Sequence, residues 1–352
     1  MKIIINTPDI NEIGGVANHY KGLKKYWKYD VKYNTIGSRR KIPGIIYLPT
    51  DILKFIFKIL YFKPDLIVLN PSLLNNAFKR DSLFLIIAAF FKIETIVFFH
   101  GWDKKFELEI NKKQNYFLKF YKKANGFIVL SNDFKDNMIR WGVLVPIHIS
   151  TTKVEDDLIK EFDISKKVYN RNILFLSRVI EEKGIFIAIN TFELISKNYN
   201  DVQLTIVGDG ENLNDAMDIV KTKKLKNVKF TGALRGEELI NEFKNSDIYL
   251  FPTYYGEGLP TSLLEAMAFG LPIITRPVGG IADFFISEKM GYSLNSKSEI
   301  DFAEKIEELI INPNKIAEFG KFNYSFAVKN FMASEVAKKL EDIFSNYNEN
   351  EQ

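Results

Sequence analysis

Short runs of β-branched and aromatic residues, apolar on both faces, alternate along the chain with stretches whose apolar positions recur at helical spacing. KIIIN (2–6), VKYNTIG (31–37), DLIVLN (65–70), TIVFFH (95–100) and GFIVLS (126–131) are the strand candidates of the first half. Runs lacking a polar face suit central parallel strands covered by helices on both sides. The stretches 51–62, 80–91, 109–123 and 133–141 supply the intervening helices. The pattern then restarts with NILFLSRV (172–179), VQLTIVG (202–208), VKFTG (228–232), DIYLFPT (247–253) and PIITRPV (272–278). Two successive strand–helix series predict an α/β protein with two doubly wound domains.

A length of 352 residues agrees with two domains, since one hydrophobic core rarely organises that much chain. The expected division is an N-terminal domain at 1–160, a C-terminal domain at 161–330 and a helical tail at 331–352 that is free to pack back on the N-terminal domain. The charged stretch 153–171, KVEDDLIKEFDISKKVYNR, reads as the linker. The start, MKIIINTPDI, has too short an apolar run for a secretory signal and reads as a first strand. Lys92 and Glu94 interrupt the longest apolar stretch, so a buried helix followed by a buried strand is expected there, not a membrane span.

Composition narrows the chemistry. Cysteine is absent, which excludes disulfides, thiolate zinc sites and a cysteine nucleophile, and suits a reducing compartment. The net charge of +4 conceals an asymmetry: residues 1–160 hold 26 Lys and Arg against 15 Asp and Glu, whereas the remainder is acidic. A basic half points to an anionic surface or substrate. Its cations are spread out rather than gathered in a recognition motif, so a nucleic-acid partner fits poorly.

The most informative stretch is YYGEGLPTSLLEAMAFGLP (254–272). A strand ends near Thr253, Pro260 suits the first helical position, and Gly270 before Pro272 ends the helix. The amides of Leu259, Thr261 and Ser262 then face outward at the positive end of a helix dipole, a natural seat for phosphate. Glu257 precedes that seat and Glu265 lies about one and a half turns beyond it. Carboxylates accept hydrogen bonds from vicinal hydroxyls, so a sugar on one side and a ribose on the other would satisfy the pair. In SRVIEEKG, Arg178 and Lys183 sit in a strand-to-helix loop where two cations can converge on one diphosphate. VGDGEN (207–212) has two glycines of a dinucleotide fingerprint but Leu213 where the third would stand, so it reads as a tight turn.

In their order and spacing, SRVIEEKG, IVGDGEN, VKFTGAL and YYGEGLPTSLLEAMAFGLPIITRPVGG resemble glycosyltransferase family 4, the retaining transferases of GT-B fold. The resemblance implies two Rossmann-like domains facing across a deep cleft, the second of which binds a nucleoside-diphosphate sugar, UDP- or GDP-linked. By it Arg178 and Lys183 hold the donor diphosphate, Glu265 the ribose, and Glu257 the transferred sugar, with Gly258, Leu259 and Thr261 beside it. Ala233 and Leu234 border the base. This chain has E-G-L-P where the family commonly has E-G-F-G-L-P, with the Glu-to-Glu interval kept.

The first half is covered more thinly. NEIGGVANHY sets Gly14 and Gly15 where the family has a glycine-rich loop facing the diphosphate, with His19 on the helix that follows. TIVFFH delivers His100 to a strand end before Asp103, where family members often carry a histidine near the transferred sugar. His148, alternating with apolar residues, reads as packing.

The implied catalytic residues are therefore Glu257, His100, Arg178 and Lys183. No Asp-x-Asp triplet occurs, and no metal or other cofactor is expected. The function read from these features is metal-independent, retaining transfer of a hexosyl-type sugar to a glycan or lipid-linked acceptor. Such an activity belongs to cell-envelope polysaccharide biosynthesis, lipopolysaccharide or capsule, in the cytoplasm or at the inner face of its membrane. Tyr26, Trp27, Lys28, Tyr61 and Lys63 are candidates for peripheral contact with anionic lipid. Alternative readings are a nucleotide-sugar epimerase or hydrolase of the same fold, or a non-catalytic partner of an active transferase.

Overall fold

The computed structural model describes residues 1–12, 14–37, 44–113, 115–256 and 258–347. The chain divides into two compact units. Unit 1 takes the chain up to Lys153 together with the C-terminal stretch from Ala333, and unit 2 runs from Val154 to Met332.

In chain order unit 1 contributes β1 (Lys2–Thr7), β2 (Asp30–Thr35), β3 (Leu66–Leu69), β4 (Ser72–Leu73), β5 (Glu94–Phe98), β6 (Gly101–Trp102), β7 (Gly126–Val129) and β8 (Ile147–Ile149). Six of them form one parallel sheet in the order β2-β1-β3-β5-β7-β8, and β4 pairs with β6 in a small separate ladder. The central strands are as buried as their apolar runs predict: Ile3, Ile4 and Ile5 of β1 and the whole of β3 are closed to solvent. Strand order reverses between β1 and β3, because β1 leads outward to β2 and every later strand builds the other way.

Unit 2 contributes β9 (Asn172–Leu176), β10 (Gln203–Val207), β11 (Val228–Gly232), β12 (Ile248–Phe251), β13 (Ile273–Thr275) and β14 (Gly291–Ser293). Its parallel sheet has the order β11-β10-β9-β12-β13-β14, the doubly wound sequence 3-2-1-4-5-6. The reversal here falls between β9 and β12.

Several expectations change. The apolar runs overshoot the strands, so His100, Arg178 and Thr253 lie past the last paired residues, in loops at the carboxyl ends. The single helix expected at 109–123 is two, Lys104–Asn111 and Tyr116–Tyr121, separated at Asn115, whose φ of 59° is left-handed. β8 and β14 are only three residues each, too short for a periodic signal.

The charged stretch 153–171 is not a free linker. Val154 is fully buried and donates its N–H to Phe331 O at 2.7 Å, and the Phe162 ring meets that of Phe269 at 5.0 Å. Apolar residues interspersed among the charges, Val154, Leu158, Ile159 and Phe162, pack on the core of unit 2.

The last helix, Ala333–Ser345, lies in unit 1 against helix Gly15–Leu23. Its Ala333, Val336, Ala337, Leu340 and Phe344 are part of that core. The Glu341 carboxylate accepts the N–H groups of Lys28 and Tyr29 at 2.6 and 3.1 Å, satisfying backbone donors where no strand does.

Leu340→Ala should therefore destabilise the N-terminal fold from the far end of the chain. Chemical denaturation is expected to show a loss of about 2–5 kcal/mol, as for other fully buried leucines.

Candidate functional site

Ligands of doubly wound sheets bind beyond the carboxyl ends of the strands, where strand order reverses. In unit 2 the loops after β9 and β12 occupy that point and carry most of the candidate residues.

The loop after β9 is held by backbone contacts. Ser177 donates its N–H to Val207 O at 3.1 Å, Val179 to Asp209 O at 2.9 Å, and Asn212 to Val179 O at 3.1 Å. A Cβ on Gly208, at φ 144°, would lie 1.9 Å from Ser177 O. One on Gly210 would lie 2.4 Å from Val179 O. The glycines of VGDGEN thus let two backbones meet, and what they brace is the loop that carries Arg178.

A second lacing joins this loop to the one after β12. Glu182 O accepts the N–H groups of Tyr254 and Tyr255 at 2.8 and 3.0 Å and the Thr253 hydroxyl at 3.2 Å. The consequence is visible at Tyr255. Its ring has the Arg178 guanidinium carbon 5.5 Å from its centroid and the Lys183 ammonium 4.5 Å from it. The two cations five residues apart do converge, three residues before Gly258. Arg178 is exposed, whereas Lys183 is only 7% exposed and also sits 5.8 Å from the Phe251 ring. Aromatic faces attract cations, and most strongly out of water.

The next helix spans Thr261–Ala268, with Pro260 at its N-cap rather than at the first helical position. Pro260 is extended, at ψ 118°, and its own side chain makes no capping hydrogen bond. The amides of Thr261 and Ser262 therefore stand at its positive end, beside Gly258 and the buried Leu259. Gly258 O accepts the N–H of Gly280 at 2.7 Å, pinning the turn. Glu265 is half-buried one turn into the helix. The helix ends at Gly270, φ 64°, with Leu271 N–H to Ala266 O and Gly270 N–H to Met267 O closing the last turn. Ala233, exposed, and Leu234, half-buried, follow β11 on the same carboxyl edge of the sheet. Glu257 lies outside the described residues.

The reversal point of unit 1 gathers a different set. His19 on helix Gly15–Leu23 and His100 after β5 have ring centroids 4.9 Å apart. Asn70, after β3, ties His100 and Tyr20 to the sheet: its Nδ2 donates to Asn6 O at 2.8 Å, and its Oδ1 accepts the Tyr20 hydroxyl at 2.7 Å. His100 Nε2 is 3.0 Å from the same Oδ1. An amide oxygen only accepts, so Nε2 carries the proton and Nδ1 keeps its lone pair for another partner. Burial, with the Phe98 ring 3.8 Å away, pushes the His100 pKa down to about 3. Burial also holds His19 well below the usual range, aided by the neighbouring His100 and Lys153 charges. Neither His19 ring nitrogen has a hydrogen-bond partner, and nor do Asn6 Nδ2 and Thr7 Oγ1 nearby in sequence and strand.

Other candidates settle into structural places. Asp103 caps helix Lys104–Asn111 by accepting the Phe106 N–H at 2.6 Å. His148 lies on β8, 3.0 Å from the Tyr347 hydroxyl. A Cβ on Gly15 would meet no described atom within 4 Å, so packing does not demand glycine there. Tyr255 and Asn70 were not singled out in the sequence. The signals available were an aromatic inside a glycine-rich strand-end loop, and one polar residue closing an apolar run.

The open α/β sheet of unit 2 thus sets two cations and a helix N-terminus at its reversal point, in a chain of two doubly wound units, the GT-B fold class. Residues 157–326, nearly all of unit 2, match the family described as "Glycosyl transferases group 1". Over 329 residues the chain is 26% identical to an uncharacterized glycosyltransferase of Methanocaldococcus jannaschii, covering 91% of this chain and 78% of that one. It is also 26% identical over 359 residues to the capsular polysaccharide biosynthesis glycosyltransferase CapM of Staphylococcus aureus, covering 94% and 89%. Among solved structures it resembles Anabaena Alr3699/HepE in complex with UDP, with a TM-score of 0.76 at 17% identity over 98% of this chain and 100% of that one. Sucrose-phosphate synthase from Thermosynechococcus elongatus gives a TM-score of 0.74 at 16% identity, covering 98% of each chain. At that identity the two structures speak for the fold, and it is the fold class read from the sequence.

Two outcomes are expected. Gly208→Ala should lower the stability of unit 2, measured by chemical denaturation, because its methyl displaces Ser177 O and with it the loop of Arg178. The two buried histidines should make unit 1 acid-sensitive before carboxylates titrate. Their folded pKa values lie below the unfolded 6.5, so the unfolded state binds more protons and stability falls as pH drops below about 6.5. The slope approaches about 1.4 kcal/mol per pH unit for each histidine. Denaturation between pH 7 and 5.5 should be flatter in His19→Asn and His100→Asn variants.

Proposed function

We propose that the protein is a retaining glycosyltransferase that moves a sugar from a nucleoside-diphosphate sugar to a hydroxyl of a glycan or lipid-linked acceptor in cell-envelope polysaccharide biosynthesis. The observation that carries this reading is the convergence of Arg178 and Lys183 on one aromatic shelf next to the Gly258–Thr261 turn. A diphosphate seated there meets a guanidinium, an ammonium and the first-turn amides of a helix. These groups neutralise the leaving phosphate without a metal ion.

In this reading Glu265 binds the ribose, Ala233 and Leu234 border the base, and Glu257 accepts hydroxyls of the transferred sugar. Gly15 leaves room for the backbone of unit 1 to approach a ligand. His100, neutral and with its Nδ1 lone pair available, accepts a sugar hydroxyl rather than supplying a charge. The reaction is a same-face displacement in which the C–O bond to the diphosphate breaks as the acceptor oxygen bonds the anomeric carbon. The acceptor proton passes to the departing phosphate oxygen. Stabilising that departing charge dominates the barrier, and the preorganised cations supply it.

The kinship with CapM, named for capsular polysaccharide biosynthesis, supports an envelope glycan as the product. A lipid-linked acceptor would bring the enzyme to the inner face of the cytoplasmic membrane.

Incubation with UDP-, GDP- and ADP-sugars and a lipid-linked glycan, followed by NMR of the product, tests the reading. The new linkage should keep the donor's anomeric configuration, and turnover should persist in EDTA. Arg178→Ala should lower kcat by about 10²–10³, the cost typical of losing one preorganised donor to a developing negative charge. Wild-type turnover in Arg178→Ala would refute the assignment, and free sugar released without transfer would favour the hydrolase reading.

A further inference from the structure

Two helices of unit 1, Gly44–Phe62 and Asn75–Phe90, lie side by side. The first joins β2 to β3 and the second joins β3 to β5. Both connections advance in the same direction across the sheet, so right-handed crossovers set both helices on one face. The Phe55 and Phe84 rings meet between them at 5.2 Å.

Their inner faces are accounted for: Phe55, Ile59 and Phe62 of the first and Phe78, Phe84, Leu85 and Ala88 of the second are buried. Their outer faces are not polar. On the first, Ile46, Leu53, Phe57 and Leu60 recur at seven-, four- and three-residue intervals and are 58–67% exposed, with Tyr61 at 77%. On the second, Leu83, Ile86 and Phe90 repeat the spacing and are 40%, 49% and 80% exposed. Scattered exposed leucines are ordinary, but two aligned stripes on neighbouring helices form a patch.

Charge indicates what covers it. Each helix has a single acid, Asp51 and Asp81, and both are turned inward, 1% and 0% exposed. The exposed charges on and beside the stripes are cations: Lys54, Lys63, Lys79 and Lys92. Lys79 falls on the Leu83–Ile86–Phe90 stripe at i−4 from Leu83. Among the described residues no helix is long and apolar enough to cross a membrane. An apolar face rimmed by lysines with its acids withdrawn is the pattern of a helix lying in a lipid interface. Aromatic rings such as Phe57 and Tyr61, stacked at 6.1 Å, suit the headgroup boundary.

We propose that the outer faces of helices 44–62 and 75–90 dock unit 1 on an anionic lipid bilayer. The inference deepens the lipid-linked reading of the acceptor, because it names the surface that would bring the enzyme to it. It also relocates the contact expected from sequence. Tyr61 and Lys63 belong to this surface, but Trp27 donates to the Tyr33 hydroxyl at 2.7 Å and packs near Phe344, and Tyr26 lies against the core.

The test is co-sedimentation of the full chain with phosphatidylglycerol/phosphatidylcholine vesicles and with phosphatidylcholine alone, across a salt series. Wild type should bind the anionic vesicles and be released by salt. Leu53→Ser/Phe57→Ser/Leu60→Ser should weaken binding at least ten-fold. Lys54→Glu/Lys79→Glu should weaken it by more than the roughly five-fold per lysine expected of neutralisation alone. Both variants should keep the wild-type circular dichroism and sugar-nucleotide thermal shift. Wild-type affinity in the serine variant, or no binding by wild type, overturns the proposal. So does a dimer, seen by sedimentation velocity, that the serine variant dissolves without any vesicle binding. A protein that docks on vesicles yet binds no sugar nucleotide would refute the transferase reading and leave this one standing.

Discussion

One carbonyl oxygen organises the candidate site. Glu182 O gathers the amides of Tyr254 and Tyr255 and the hydroxyl of Thr253, locking the loop after β9 to the loop after β12. Strand order reverses between those strands, so the connections that follow them leave to opposite faces of the sheet and open a crevice beyond the strand ends. Without the lacing, Arg178 and Lys183 would hang from one independent loop and the aromatic shelf from another. With it, two like charges are held near each other by a backbone that does not have to reorganise when an anion arrives. Such preorganisation is what makes electrostatic stabilisation effective.

The same economy of backbone appears in the glycines. Gly208 and Gly210 pass beneath Ser177 and Val179, and Gly184 lies where a Cβ would be 2.5 Å from Pro252 O. The first two brace the cation loop from the end of β10, and Gly184 lets the loop itself approach the end of β12. The resemblance of VGDGEN to a phosphate-binding fingerprint is therefore one of conformation: the glycines serve a close approach, but the approaching group is the protein's own chain.

Unit 1 places neutral groups at its reversal point where unit 2 places cations. Burial keeps both histidines uncharged, and Asn70 selects the tautomer of His100 while tying it to β1 through Asn6. A neutral acceptor suits hydroxyls, whereas the cations of unit 2 suit phosphate. The outward helices of unit 1 complete the contrast, since their only acids are buried and their exposed surface is apolar and basic.

The alternation of apolar runs determined two parallel doubly wound sheets by itself, because central strands buried on both faces admit almost no polar residue and leave an unmistakable signature. The places of Arg178, Lys183, Thr261 and Glu265 were legible for a related reason: each lies in the loop or helix that follows such a run, so sequence order alone sets them on the carboxyl side of a strand. Tertiary structure decided what depends on contacts between distant segments. Tyr255 as the meeting point of two cations, Asn70 as the arbiter of His100 and the packing of helix 333–345 into the N-terminal core each join residues that no local period relates. The stretch 153–171 shows the limit most clearly. Its charges are what a window of sequence displays, but four apolar side chains among them find a core elsewhere in the chain, and burial, which is a property of the folded whole, outweighs composition.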